Sequence, residues 1–310
     1  MAEIVLLDGG MGQELMARSQ QPPSPLWSAQ VLLEEPELVE AAHRAFLEAG
    51  ATVITVNAYS ATPERLAREG REDLFPTLQD RAVALARQAR DAVLAGREAT
   101  GAAAAGRIAI AGCLPPLVAS YRPDLAPAPD QALAMYRRIA AAQADGVDLF
   151  LAETLASVDE AVAAATAARE TGKPVWVALT LDDDAPTTLR SGEPLSDAMA
   201  ALADLGVDAR LLNCSRPETI DAVWDTFAAA PGICGAYANG FTSVTALVPG
   251  GTVDSLEARH DLTPAAHAEV ALGWVARGAG IVGGCCEVGP EHIRVLGDRL
   301  REAGHTVVAP

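Results

Sequence analysis

Cysteine is scarce in this chain, five in 310 residues, and three of the five stand where thiolate chemistry is plausible on residue type alone. Cys214 closes a short apolar run, Arg210-Leu211-Leu212-Asn213-Cys214, while Cys285 and Cys286 are adjacent and follow Gly283-Gly284. Three thiolates suit zinc, which takes four tetrahedral ligands, and a site with three protein ligands keeps one position for substrate. Adjacent cysteines can reach one ion if the preceding glycines let the backbone turn sharply. No C-x-x-C pair is present, so inert core packing is a competing reading, as is a vicinal disulfide between Cys285 and Cys286. Five further reactive residues stand at or just beyond the ends of short apolar runs: Asp8, Asn57, Tyr59, Glu153 and Asn239.

Residues so far apart can meet only on a scaffold that gathers loops at one end. Short β-type runs alternate with Ala-rich helical stretches from residue 3 to residue 303, the pattern of a parallel sheet covered by helices. Eight strands are predicted: Ile4–Leu7, Thr52–Val56, Arg107–Ala111, Leu149–Ala152, Pro174–Thr180, Ala209–Leu212, Ile233–Ala236 and Ile281–Gly283. They are nearly all apolar, as strands covered on both faces should be. Ser157-Val158-Asp159-Glu160 and Ser215-Arg216-Pro217-Glu218 read as capping boxes, and Thr263-Pro264 and Gly289-Pro290 as helix starts. With no linker or composition break, the expectation is a single-domain (β/α)8 TIM barrel over residues 1–310, with a doubly wound sheet as the alternative. Barrel enzymes carry chemistry on the loops after the strands, and every residue named above falls there. The Pro-rich stretches 21–25 and 121–129 and the Gly/Pro segment 248–252 read as loops over one end.

Composition narrows the partners. Half the residues are apolar but only 4% are aromatic, and 41 acidic against 23 basic residues give a net charge of -18. That charge repels nucleic acid and anionic membrane surfaces. The N-terminus lacks the basic flank of a signal peptide and no apolar run reaches membrane-spanning length, so a soluble cytoplasmic protein is expected, with cysteines kept reduced.

The segments LLDGGMGQEL (6–15), HRAFLEAGATVITVNAYSATPERL (43–66), FLAETLAS (150–157), LLNCSRPETI (211–220), GAYANGF (235–241) and GGCCEVGPEHI (283–293) resemble the homocysteine S-methyltransferase family from one end of the chain to the other. Asn-Cys after strand six paired with Gly-Gly-Cys-Cys after strand eight is the specific part. The resemblance implies a zinc-dependent barrel enzyme with Cys214, Cys285 and Cys286 as catalytic metal ligands. It further implies that Asp8 and Glu153 fix the ammonium of homocysteine, with the backbone amides around Gly9 and Gly10 holding its carboxylate as an anion nest. Asn57 belongs to the same substrate-binding set. Trp27 and Tyr59 fall where relatives place aromatic residues beside the methyl donor, which suits cation-π contact with a sulfonium. Asn239 matches an Asn that can occupy zinc when substrate is absent, although Ala238 stands where many relatives have Pro.

The implied chemistry is coherent. A free thiol is mostly protonated at neutral pH, whereas a zinc-bound one is deprotonated, and three neighbouring thiolates should keep that sulfur electron-rich. The product would be methionine, and the expected donor a small sulfonium, either S-methylmethionine or S-adenosylmethionine. Betaine and methylfolate are disfavoured because no C-terminal extension, cobalamin module or folate module is seen. Selenocysteine or another thiol or selenol is an alternative acceptor. From other classes come a metal-free redox enzyme cycling Cys285 and Cys286, and a non-catalytic barrel that binds a metabolite. Cys113 and Cys234 read as small core residues, His43, His267 and His292 as solvated or capping, and Asp182-Asp183-Asp184 as an exposed loop.

Overall fold

The computed structural model describes residues 1–22, 24–100, 106–247 and 255–310; the predicted 248–252 loop lies outside these. The strands are β1 (Glu3–Leu6), β2 (Val53–Thr55), β3 (Ala109–Leu114), β4 (Leu149–Leu155), β5 (Val175–Leu179), β6 (Ala209–Asn213), β7 (Ile233–Tyr237), β8 (Ile281–Val282) and β9 (Thr306–Val308). Pairing is parallel throughout, in the order β2-β3-β4-β5-β6-β7-β8-β1-β9. The seam closes at the top of β1, where Leu7 bridges Val53 and the amide of Asp8 donates to Val53 O at 3.1 Å. Below that point β9 occupies the same edge, pairing Glu3–Val5 of β1 with Thr306–Val308. The eight predicted units and the barrel are therefore present, and β9 is an addition that the sequence reading placed in a tail. It is three residues long and half exposed, too short for periodicity to register.

Alternation along the strands separates two cores. Val5, Leu7, Val53, Ala109, Ala111, Leu149, Leu151, Trp176, Ala178, Leu211 and Ile281 face one another inside the barrel. Ile4, Leu6, Ile54, Ile110, Phe150, Val177, Leu179 and Leu212 face outward into the helical layer. Small side chains inside leave room for two large fillers, Trp176 and Tyr237.

Local chemistry accounts for most helix starts. The Oγ atoms of Ser157 and Thr263 accept from the amides of Glu160 and Ala266, and Pro290 opens its helix at the first position. Ser215 behaves differently: the helix Pro217–Ala229 begins without a side-chain cap, and the Ser215 hydroxyl instead accepts from the amide of Leu181 at 2.8 Å. Its hydroxyl ties the loop after β5 to the loop after β6. Among the described residues no helix is long and apolar enough to cross a membrane.

The histidine assignments need correction. His43, on the helix Pro36–Glu48, is fully buried and neither ring nitrogen has a partner; His267 is buried with Nε2 against Gly283 O. Only His292 caps, its Nδ1 accepting from the amide of Gly289. Burial pushes His43 down to about 3, far below its unfolded value near 6.5. The fold therefore holds the neutral ring, and the stability this permits is complete above pH 6.5 and lost as pH falls. Between pH 7 and 5, His43→Leu should lose about 2 kcal/mol less than the parent in urea unfolding; equal losses would place the acid sensitivity elsewhere.

Candidate active site

The mouth of the barrel is woven from three loops by backbone hydrogen bonds. Gly284 N donates to Asp8 O (3.0 Å), Cys285 N to Ala238 O (3.1 Å), Gly240 N to Cys286 O (2.8 Å) and Gly10 N to Val288 O (2.9 Å). The loops after β1, β7 and β8 are thus one fabric. Its glycines are set by proximity: a Cβ on Gly283 would lie 2.5 Å from Leu7 Cβ, and one on Gly284 2.0 Å from Val288 Cγ1. Neither has positive φ, so the expected glycine turn is not what brings Cys285 and Cys286 together; the left-handed residue is Glu287, with φ 64°. Gly12 is similarly covered by the Trp27 ring.

Among the described residues, five non-glycine residues have positive φ: Trp27, Tyr121, Thr154, Cys214 and Glu287. Four line the pocket over the barrel and the fifth follows Cys286. Each such conformation costs about 1–3 kcal/mol, and strain of this kind gathers where function over-determines the backbone.

Within this frame the sulfurs of Cys214, Cys285 and Cys286 all lie within 4.8 Å of one another. Cys214 and Cys285 are paired as a disulfide with Cα atoms 5.8 Å apart, and Cys286 keeps a free thiol 3.8 Å from Cys214. The pairing expected for a metal-free cluster, Cys285 with Cys286, is not the one formed. Burial pushes the Cys286 thiol up to about 12, with neighbouring Gln13 pulling the other way. Opened, the trio is a three-sulfur cup able to hold a thiophilic cation.

Two carboxyl groups share the pocket. Asp8 is buried, its Oδ2 accepting from Thr55 N at 2.8 Å; burial pushes it up to about 8 against that amide, and Glu153 adds to the rise. Glu153 lies inside β4 rather than after it, at a register shift between Ala152 and Leu155. The Cys113 thiol and Tyr237 hydroxyl donate to it at 3.2 and 3.4 Å, while burial pushes it up to about 7. The irregularity is held from β6: Asn213 Oδ1 accepts from Thr154 N and Asn213 Nδ2 donates to Thr154 Oγ1.

Trp27 and Tyr59 meet edge to face, centroids 6.4 Å apart, and both line the pocket. Asn57 is buried and donates to Ser28 O at 3.2 Å. Gly10 has its amide committed to Val288 O, so of the expected nest only Gly9 and the first amides of the helix Met11–Arg18 can serve a carboxylate. Asn239 is buried, with Oδ1 accepting from Phe241 N at 3.1 Å and Nδ2 unpartnered.

Several participants escaped the sequence reading. The Tyr121 hydroxyl donates to Cys214 Sγ at 3.1 Å, and the Arg190 guanidinium covers the Tyr121 ring at 4.8 Å. Arg190 in turn pairs with Asp183 at 2.8 Å. Asp183 is thus no exposed loop residue: it is mostly buried, and it also accepts from Arg216 N and Thr219 Oγ1. Cys113 is the buried core residue expected, and its thiol also donates to Glu153. The long range of these contacts explains why they left no local pattern.

The homocysteine S-methyltransferase family model matches residues 5–300. A homocysteine S-methyltransferase of Escherichia coli is 32% identical over 95% of this chain and 94% of its own length. Among solved structures, the metallated form of the E. coli homocysteine methyltransferase MmuM superposes with a TM-score of 0.80 at 31% identity, covering 96% of both chains. Its oxidized form gives 0.78 over the same coverage. The chain belongs to the homocysteine S-methyltransferase family.

Proposed function

We propose that this chain transfers a methyl group from a sulfonium donor to the thiolate of L-homocysteine, giving methionine, with zinc held by Cys214, Cys285 and Cys286. The observation that carries the reading is the three-sulfur cup. Two sulfurs on a tetrahedral zinc sit about 3.8 Å apart for Zn–S bonds of about 2.3 Å, and Cys214 and Cys286 already have that separation. The Cys286 thiol, its pKa raised by burial, holds its proton unless a cation replaces it, which suits it to a metal.

Cys214, Cys285 and Cys286 would hold the ion, which would supply Lewis acidity to keep a fourth thiol deprotonated at neutral pH. The chain's own groups do the rest. Asp8 and Glu153 receive the amino acid's ammonium, and Gly9 with the first turn of the following helix receives its carboxylate. Trp27 and Tyr59 face the sulfonium, excluding water and favouring its positive charge. The thiolate sulfur forms its bond to the methyl carbon as the donor's carbon–sulfur bond breaks, that electron pair staying on the departing thioether. Tyr121, hydrogen-bonded to Cys214, fixes one sulfur of the cup. The joined sulfurs of Cys214 and Cys285 favour a second reading, dithiol–disulfide chemistry without metal.

Metal analysis separates the two. Reduced protein purified with zinc should carry about one ion per chain, and Cys286→Ala should lose both the ion and methionine formation. Full activity on homocysteine in metal-free protein would exclude zinc catalysis.

The carboxyl groups make a second test. Asp8 and Glu153 hold much of their protons at pH 7 while empty, and an arriving ammonium favours their ionised forms. Homocysteine binding to the zinc-loaded protein at pH 7 should release more than the proton of the thiol alone, measured by calorimetry in buffers of different ionisation enthalpy. Glu153→Gln should bring the count toward about one and raise KM for homocysteine by at least about tenfold. An unchanged count in both Glu153→Gln and Asp8→Asn would remove them from ammonium binding.

A further inference from the structure

The pocket that holds the cysteines has an acidic, sulfur-lined floor, yet two guanidinium groups stand in its wall. Arg65 and Arg68, one turn apart on the short helix Pro63–Arg68, both line it. Neither forms an ion pair among the described residues, although the chain has 41 carboxylate side chains and surface arginines such as Arg137, Arg259 and Arg294 are paired. Arg68 donates to Val118 O at 2.6 Å and is otherwise exposed. Arg65 donates to Pro116 O at 3.0 Å and Ser120 Oγ at 3.3 Å, and its Nε is buried without a partner. A guanidinium whose nearest acceptors are neutral keeps its full charge for a ligand.

Position says which ligand. The Arg65 guanidinium stacks on Tyr59 at 5.3 Å, and the Tyr59 hydroxyl shares Ser120 Oγ with it at 2.9 Å. Tyr121, the next residue, touches Cys214. The cationic wall is thus joined through two adjacent residues to the sulfur cup, and its aromatic neighbour is the one that faces the proposed donor. A bare cation would be repelled by this wall. A sulfonium carrying a carboxylate a few bonds away would set its positive sulfur over the thiolates and its anion on the arginines.

We infer that Arg65 and Arg68 form the subsite that takes the carboxylate of the methyl donor. This deepens the proposed function and rests on it.

Binding tests it without turnover. Zinc-loaded protein is titrated calorimetrically with S-methylmethionine and with its carboxamide, in the parent, Arg65→Gln, Arg68→Gln and Arg65→Lys; S-adenosylmethionine and its carboxamide run in parallel to tell a small donor from a nucleoside one. The parent should prefer the carboxylate by about 10- to 100-fold, the range of a charge-assisted contact in a pocket. The preference should shrink toward parity in the glutamine variants and persist in part in Arg65→Lys, with the homocysteine Kd unchanged. A parent without preference overturns the subsite, as does a preference that survives both glutamine substitutions, which would assign the carboxylate to the homocysteine nest. Loss of homocysteine binding by the parent would instead refute the methyltransferase reading itself.

Discussion

Three sulfurs within 4.8 Å of one another have to be gathered from two loops whose residues are 71 positions apart, and the rest of the mouth is arranged around that demand. The vicinal pair is held by backbone hydrogen bonds to Ala238 and Gly240, and Cys214 by a left-handed backbone and the Tyr121 hydroxyl. Pairing of β1 with β8 sets the first loop beside the last, and the Leu7–Val53 bridge closes the sheet on the other side of β1. The strained residues cost stability that the two apolar cores, inside and outside the strands, have to offset.

Charge is distributed with the same economy. The chain is strongly acidic overall, yet at the mouth burial raises the pKa of both acids, while two arginines without an ion pair among the described residues stand in the wall. Burial makes the difference: an isolated buried carboxylate sheds its charge until a cation arrives, whereas a guanidinium keeps its own. On the proposed reading, such a pocket favours zwitterions, molecules that bring both partners at once.

Much of this was legible in the residues. Alternation of apolar runs and Ala-rich stretches foretold eight β/α units, and the positions of Cys214, Cys285, Asp8 and Glu153 near strand ends foretold their convergence. Strand limits were less so. Leu149–Leu155 runs past Glu153 because Asn213 stabilises an irregularity there, a contact across 59 positions that no local pattern encodes. Tyr121, Cys113 and Asp183 were missed for the same reason, their roles residing in partners far along the chain. The glycines before Cys285 were found but for the wrong cause, since crowding by Leu7 and Val288 and not a left-handed turn excludes a side chain.

The clasp between Asn213 and Thr154 has a further consequence. It locks β6 to β4 immediately beside Cys214 on one side and Glu153 on the other, so the proposed anchor for an ammonium and one sulfur of the cup ride on a single rigid piece. Such a piece is a ruler. A thiol amino acid one methylene shorter than homocysteine would have to surrender either its amino contact or its place at the sulfurs, so selection among metabolites differing by one carbon would rest on an amide side chain that touches neither substrate.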